Sequence, residues 1–394
     1  MFKLQMPPVP IETSQVLFDL SRLLRSRNRA FATGVDRIDL EIALDLAARF
    51  KTSCYFLYAG AAGVTILRHE TGMSLLRALD ARWNGKQSPN ERARSTQSYT
   101  AEIAYGSVTR RDRRTVVTSD TTYVVASHSG LGKIKGGIGR LDPRKAMKRV
   151  IYIHDIIPLE MPEYQRPETR PAFENYLGEL MDAPVTIASN SHDTDTRFRQ
   201  LAGTKGWTVE RFIVLKPALV PTTAARLPIR TEIETFISRQ RSLFTVIGTI
   251  EPRKNHLLLL NLWRQMLEQQ EDAPHLCIIG KRGWENENVL DMLDRCVAIK
   301  GSVTEFGDLS DGEVQAVMKA STALLFPSFV EGLGIPLLEA AALDLPCIVS
   351  DIPVFREIAP TGTVFLDPLD GPGWKREIIS RSLPPAHDIT RQVG

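Results

Sequence analysis

Residues 323–349 read ALLFPSFVEGLGIPLLEAAALDLPCIV, and this stretch decides the fold. Ala323–Phe326 is a short, fully apolar run that stops at Pro327. A glycine-rich loop, Phe329–Gly334, follows, and a helical pattern opens at Ile335 with Pro336 in its first turn, where a missing N–H costs nothing. A second apolar run starts at Cys347. Strand, loop, helix, strand is one step of a parallel sheet covered on both faces. The free amides of such a loop and the dipole of its helix make an anion site. Gly332 and Gly334 let a ligand approach the backbone, with Leu333 between them. Glu331 lies on the loop and Glu339 inside the helix. Carboxylates accept hydrogen bonds from vicinal hydroxyls. The pair therefore looks like grips on a sugar and a ribose with a diphosphate between, although a strand–turn–helix with ordinary surface glutamates would read the same taken alone.

The same alternation extends outward. In the C-terminal half the spacing predicts strands at 243–247, 276–279, 323–326, 347–349 and 364–366, and helices near 256–268, 285–295, 311–320, 335–343 and 374–380. In the N-terminal half it predicts strands at 54–58, 123–126, 150–153, 185–188 and 212–215. Ile38, Ile42, Leu46 and Phe50 form one buried helical stripe. Between the halves, KPALVPTTAARLP (216–228) reads as a proline-rich linker. Two doubly wound α/β domains are expected, residues 1–222 and 223–394, and ligands of such sheets bind beyond the C-terminal strand ends. Two facing domains would put the site in an interdomain cleft.

Composition agrees. A chain of 394 residues suggests two domains, each large enough for its own core. It is 43% hydrophobic and 24% charged, which excludes a disordered or fibrous chain. No apolar run is long enough for a transmembrane helix, and MFKLQMPPVP lacks a signal-peptide core, so a cytoplasmic chain is expected. Four scattered cysteines read as reduced core residues. Residues 1–222 hold 32 Lys+Arg against 23 Asp+Glu, and residues 223–394 hold 17 against 23. The basic clusters are Arg22/Arg25/Arg27/Arg29, Arg110/Arg111/Arg113/Arg114, and Lys133 to Arg149. They read either as solvated surface or as attraction to anionic lipid at the inner membrane face or to a phosphorylated acceptor. No aromatics interleave with them, which argues against nucleic acid.

The segment FPSFVEGLGIPLLEAAALDLPCIVSDIPVFREIA (326–359) resembles the family-4 group of glycosyltransferases, which have the GT-B fold and a Glu–x7–Glu motif that Glu331 and Glu339 match. The resemblance implies that Glu331 contacts the donor sugar and Glu339 the ribose. Gly248–Thr249–Ile250–Glu251–Pro252–Arg253–Lys254–Asn255 is similar to a GTxEPRKN variant of mannosyl- and rhamnosyltransferase-like members. Thr249 stands where many members have arginine, so the grip on a leaving diphosphate would fall on Arg253 and Lys254. His154–Asp155 follows the strand VIYI, similar to the family's N-domain motif. The resemblance implies that His154 approaches the donor sugar near the reacting carbon, while Asp155 would orient the imidazole or bind acceptor. Thr33–Gly34–Val35–Asp36–Arg37 resembles the family's N-terminal glycine loop, with Gly34 near phosphate, Arg37 near an anionic acceptor, and Asp36 as a possible N-cap.

Other features read structurally. Asp193–Thr194–Asp195 spells a metal-binding DxD but falls where a helix should start, where carboxylates suit the dipole. Ser310 with Glu313 fits a capping box. GLGKIKGGIG (130–139) reads as a mobile loop, and SLPPAHDITRQVG (382–394) as too irregular for a long terminal helix. The histidines show no metal spacing, so no metal or cofactor is expected. The expected function is transfer of a hexose, with a lean to mannose, from a nucleotide sugar to a glycan or lipid-linked acceptor in bacterial polysaccharide assembly. Retention is implied by the resemblance. No second carboxylate about 5 Å from an acid is identifiable as nucleophile, which favours a front-face route. The alternatives are an epimerase of the same fold, which needs no acceptor, and a non-catalytic nucleotide-sugar binder. A phosphorylase would need a lysine-bound pyridoxal phosphate, which no motif suggests.

Overall fold

The computed structural model describes all residues except 1, 30, 61–62, 84–102, 104–105, 110–111, 222–227, 270–272 and 383–394. Its strands in chain order are β1 (Phe2–Gln5), β2 (Gln15–Asp19), β3 (Cys54–Gly60), β4 (Gly63–Leu67), β5 (Thr121–Val125), β6 (Lys148–Ile153), β7 (Val185–Ser189), β8 (Val209–Val214), β9 (Ala218–Pro221), β10 (Leu243–Ile247), β11 (His275–Ile279), β12 (Val303–Phe306), β13 (Ala323–Phe326), β14 (Cys347–Ser350) and β15 (Val364–Leu366). The chain divides into two compact units. One is Lys3–Pro162 with Pro167–Val220, and the other is Pro221–Gly394 with Met1–Phe2 and Glu163–Arg166.

The N-terminal unit is a seven-stranded sheet in the order β4-β3-β2-β5-β6-β7-β8. It is parallel except for β4, which turns back on β3 as a hairpin. The chain builds outward from β2 on one side, then returns to add β5 on the other. The switch point therefore lies between β2 and β5, where a doubly wound sheet opens its ligand crevice. Tyr123, Ile151, Ile187, Tyr176 and Leu177 fill the core on one face of this sheet. The helix Gly34–Phe50 buries Ile38, Ile42 and Leu46, three positions of the expected stripe; Phe50 ends half-buried.

The C-terminal unit is a six-stranded, wholly parallel sheet ordered β12-β11-β10-β13-β14-β15. Its switch point lies between β10 and β13. The four central strands are short and almost entirely buried, because helices cover both faces, and the edge strands β12 and β15 are half-buried. Trp263 and Trp374, both fully buried, anchor the largest of its apolar clusters.

Several expectations change. The strand β2 was not foreseen; its five residues QVLFD run into a basic helical stretch, and no turn residue marks its end. The hairpin strand β4 was missed too, as were β1, β9 and β12. Part of the expected linker is strand β9, which pairs with β1, while 222–227 lie outside the described residues. GLGKIKGGIG is not a mobile loop: a 3-10 turn, Gly130–Lys133, and a short helix, Gly137–Leu141, pack with Leu131 and Ile138 buried. Asp36 is not the N-cap: Thr33 caps the helix, and Asp36 completes the box from the third helical position. The capping box of Ser310 and Glu313 forms. Asp193 and Asp195 sit in the first turn of the helix His192–Lys205, paired to Arg197 and Arg199. All but the first residue of the C-terminal tail, with Arg110 and Arg111, lies outside the described residues.

Candidate functional site

The loop after β10 is built to present cations. Pro252 starts a 3-10 turn, and Asn255 at φ 56° reverses the chain into the helix His256–Glu268. The Asn255 side-chain amide donates to the Pro368 carbonyl at 2.9 Å, which fixes that turn. Neighbouring strand-end loops are sewn to it. The Ile250 amide donates to the Lys281 carbonyl, the Gly283 amide to Ile250, and the Phe329 amide to Arg253. Arg253 and Lys254 are thereby fixed against the Phe329–Gly334 loop that follows β13.

Glu331 meets both cations, at 2.7 Å from Arg253 and 2.5 Å from Lys254. Glu251 holds the other arm of Arg253 at 2.6 Å. Arg253 also donates to the Val330 carbonyl. Lys254 and Glu331 are only 9% and 6% exposed, and the ammonium lies 4.7 Å from the Phe326 ring centre. Burial pushes the Glu331 carboxyl up, but Arg253 and Lys254 overrule it and hold it down at about 2. Burial also draws the Lys254 ammonium below its ordinary range, with Glu331 opposing. For Lys254, burial and the Arg253 charge outweigh Glu331 and Glu251, and a further anion beside it would favour the ammonium.

Gly332, Leu333 and Gly334 are buried, and Gly334 caps the helix Ile335–Ala342 at φ 95°. A β-carbon there would come within 2.8 Å of the Phe355 ring, so only glycine fits. Glu339 is half-buried on that helix, and Thr249 half-buried on the β10 loop. The sequence-predicted residues Thr249, Arg253, Lys254, Glu331, Gly332, Leu333, Gly334 and Glu339 therefore all belong to one unit, on the loops beyond β10 and β13 or the helix that follows.

The remaining predicted residues belong to the N-terminal unit. His154 follows β6 and is 5% exposed, its Nε2 at 2.6 Å from the Ala126 carbonyl at the end of β5. Burial first, then His128, lower its imidazole to about 3. It is neutral at physiological pH, and because a carbonyl only accepts, Nε2 carries the proton and Nδ1 is left as the acceptor. Asp155 does not share that hydrogen bond; its carboxylate accepts from the Ile157 amide at 3.1 Å. Gly34 opens the Gly34–Phe50 helix, with Arg37 half-buried one turn on.

The sequence reading missed the centre of this edge. Asp19, the last residue of β2, is buried at the switch point. It accepts from the Tyr123 hydroxyl at 2.6 Å, the Leu131 amide at 2.9 Å and the Ser21 amide at 3.1 Å. His128 lies beside His154 with ring centres 6.2 Å apart. An acidic residue ending a five-residue apolar run, and the histidine and glycines after the strand TTYVVA, were the available signals.

Residues 231–368 match the family described as glycosyl transferases group 1. The chain is 30% identical over 227 residues, 52% of its length, to the serotype-specific mannosyltransferase WbdA of Escherichia coli, and spans 26% of that relative. It is 25% identical over 233 residues to the O-antigen chain mannosyltransferase B of Escherichia coli, covering 58% of this chain and 59% of that one. Among solved structures, WaaG, a glycosyltransferase involved in lipopolysaccharide biosynthesis, superposes with a TM-score of 0.57 at 15% identity over 93% of this chain and 90% of its own. HepE from Anabaena, solved with UDP and glucose, gives 0.56 at 14% over 93% of this chain and 89% of its own. These last two likenesses show the fold.

Proposed function

We propose, because residues 231–368 match the glycosyl transferases group 1 family, that the chain moves a hexose, mannose in the first instance, from a nucleotide diphosphate sugar to a glycan or lipid-linked acceptor. The setting is assembly of a bacterial surface polysaccharide at the cytoplasmic face of the membrane. Mannose is favoured by the GTIEPRKN segment and by relatives named as mannosyltransferases.

The observation that carries this reading is the buried set of Arg253, Lys254 and Glu331 beside a glycine-rich helix start. The two cations and the loop amides take the diphosphate, whose negative charge grows as the glycosidic bond breaks. The scheme uses these groups in place of a metal. A diphosphate competes with Glu331 for Arg253 and Lys254, and so frees that carboxylate for hydroxyls of the donor sugar. Glu339 takes the ribose. Transfer proceeds with retention. The bond from the anomeric carbon to phosphate breaks, the acceptor oxygen bonds the same face, and its proton passes to the departing phosphate oxygen.

A thermal-shift screen of GDP, UDP, ADP and dTDP, followed by transfer assays with labelled nucleotide sugars, tests the reading. A ligand of the folded state raises its melting temperature in line with affinity. Stabilisation by GDP and transfer from GDP-mannose are expected. No stabilisation and no turnover with any donor would end the enzyme reading, and donor conversion without acceptor would point to an epimerase.

A further inference from the structure

Glu251 is 4% exposed and lies beside the two cations of the β10 loop. It precedes Pro252, and the Lys254 amide donates to its carbonyl at 3.1 Å, so one tight turn carries Glu251, Arg253 and Lys254. Its carboxylate folds over that turn and meets Arg253 Nη2 at 2.6 Å. Arg253 Nη1 lies 2.7 Å from Glu331 and 3.1 Å from the Val330 carbonyl. The guanidinium fork thus spans two loops, with Glu251 on one arm and the glycine-rich loop on the other. Lys254 meets Glu331 at 2.5 Å. Two cations and two carboxylates form one connected group, and the charges of these four cancel.

Fixing an arginine does not require a second carboxylate. A neutral carbonyl serves on the Val330 side. A carboxylate at Glu251 brings a full negative charge beside the cations that are to meet phosphate, and at such low exposure water and salt screen it little. The two acids also respond differently to an incoming anion. Glu331 comes from the separate loop after β13 and can give way. Glu251 is two residues from Arg253 on the same turn and stays in place. The occupied site therefore keeps one carboxylate opposing the diphosphate.

We infer that Glu251 is a positioning residue with a second effect: it aims Arg253 across to the glycine-rich loop and, by its charge, loosens the hold of the site on a nucleoside diphosphate, so that the leaving group departs after transfer. This rests on the reading that Arg253 and Lys254 take the diphosphate.

Calorimetric titration of the full chain with GDP, UDP and inorganic pyrophosphate tests it. Lys254→Ala removes a proposed phosphate ligand and should lose binding. Glu251→Gln keeps the shape, removes the charge, and should bind GDP about tenfold more tightly. Glu251→Asp returns the charge and should bring the affinity back toward wild type. A merely structural role predicts weaker binding in both. Wild-type or weaker GDP affinity in Glu251→Gln, with binding lost in Lys254→Ala, overturns the charge effect and leaves the donor reading standing. If the wild type binds none of the three ligands, the donor reading falls and the charge effect with it. The positioning role is then decided by a double-mutant cycle without ligand. Glu251→Gln and Glu331→Gln each take one carboxylate from Arg253, and together they take both. The melting temperature of the double variant should drop by more than the two single shifts added, and additive shifts overturn the shared clamp. If Glu251→Gln melts too early to titrate, Glu251→Met takes its place.

Discussion

Glu331 was a candidate sugar grip in the sequence, but its ion pairs were not legible there, because spacing says nothing of which loops meet across a sheet. The pairs join residues 77 and 78 positions apart, from loops brought together because β10 and β13 are neighbours. Glu331→Ala therefore does two things. It removes the carboxylate proposed to hold the donor sugar, and transfer should fall to background. It also leaves Lys254 buried without its partner while Arg253 keeps Glu251, and breaking such a pair costs about 3–5 kcal/mol. The variant's melting temperature should drop, and a nucleotide diphosphate should recover more of it than the same ligand adds to the wild type. Equal ligand gains would mean that the diphosphate does not replace the missing anion. The pH dependence has a definite sign. The folded pKa is depressed from 4.5 to about 2, so the contribution is present above 4.5 and is lost as pH falls toward 2. Acid unfolding of the wild type should be steeper over that window than that of Glu331→Gln.

The helix Gly34–Phe50 carries two buried carboxylates one turn apart, and its neighbours put them in opposite states. Burial pushes the Asp36 carboxyl up, but Arg22, Thr33 and Arg29 bring it below its ordinary value. Asp39 is also pushed up by burial, and Arg22 and Ser127 do not overcome it, so it rests at about 8 and keeps its proton at neutral pH. Its contribution is present below 3.8 and is lost as pH rises through about 8. Asp39→Asn should therefore raise the melting temperature at pH 8 and change it little at pH 4; a gain that is the same at both would exclude this cause. The helix itself could be read from its apolar stripe. The polar face could not, since Asp36 and Asp39 look like solvent-facing residues until Arg22, from a different element, is placed beside them. On the second sheet the helix Ile335–Ala342 depends on Gly334. Gly334→Ala forces a side chain into positive φ and against Phe355, a strain of about 1–3 kcal/mol. Nucleotide binding should weaken with it, because the strain is relieved by moving the amides that are to hold phosphate. A variant that melts early yet binds GDP normally would separate the loop from the ligand.

Across the whole chain, strands set between polar or glycine-bearing segments were often readable, although β9 and β12, flanked by proline or glycine, were missed. LFTVI stands out between SRQRS and GTIEP, whereas QVLFD runs into SRLLR with nothing to stop it. That is why the β2–β5 switch point, the centre of the N-terminal edge, emerges only from the topology. Charge alone likewise did not tell which cations are already paired. The surplus of cations in residues 1–222 suggested a surface for anionic lipid, but many are engaged internally. Arg22 and Arg29 serve Asp36, Arg149 is buried against Asp182, Lys145 also meets Asp182, and Lys148 meets Glu12. Among the described residues no helix is long and apolar enough to cross a membrane. General attraction to an anionic bilayer should consequently be weak and screened by salt, with a Debye length of about 8 Å at physiological ionic strength. The full chain should sediment with phosphatidylglycerol vesicles in dilute buffer and largely dissociate at physiological salt. Phosphatidylcholine vesicles should not retain it at either. Retention at physiological salt would show that the cation surplus of residues 1–222, 32 against 23, acts as a surface that the ion pairs leave available.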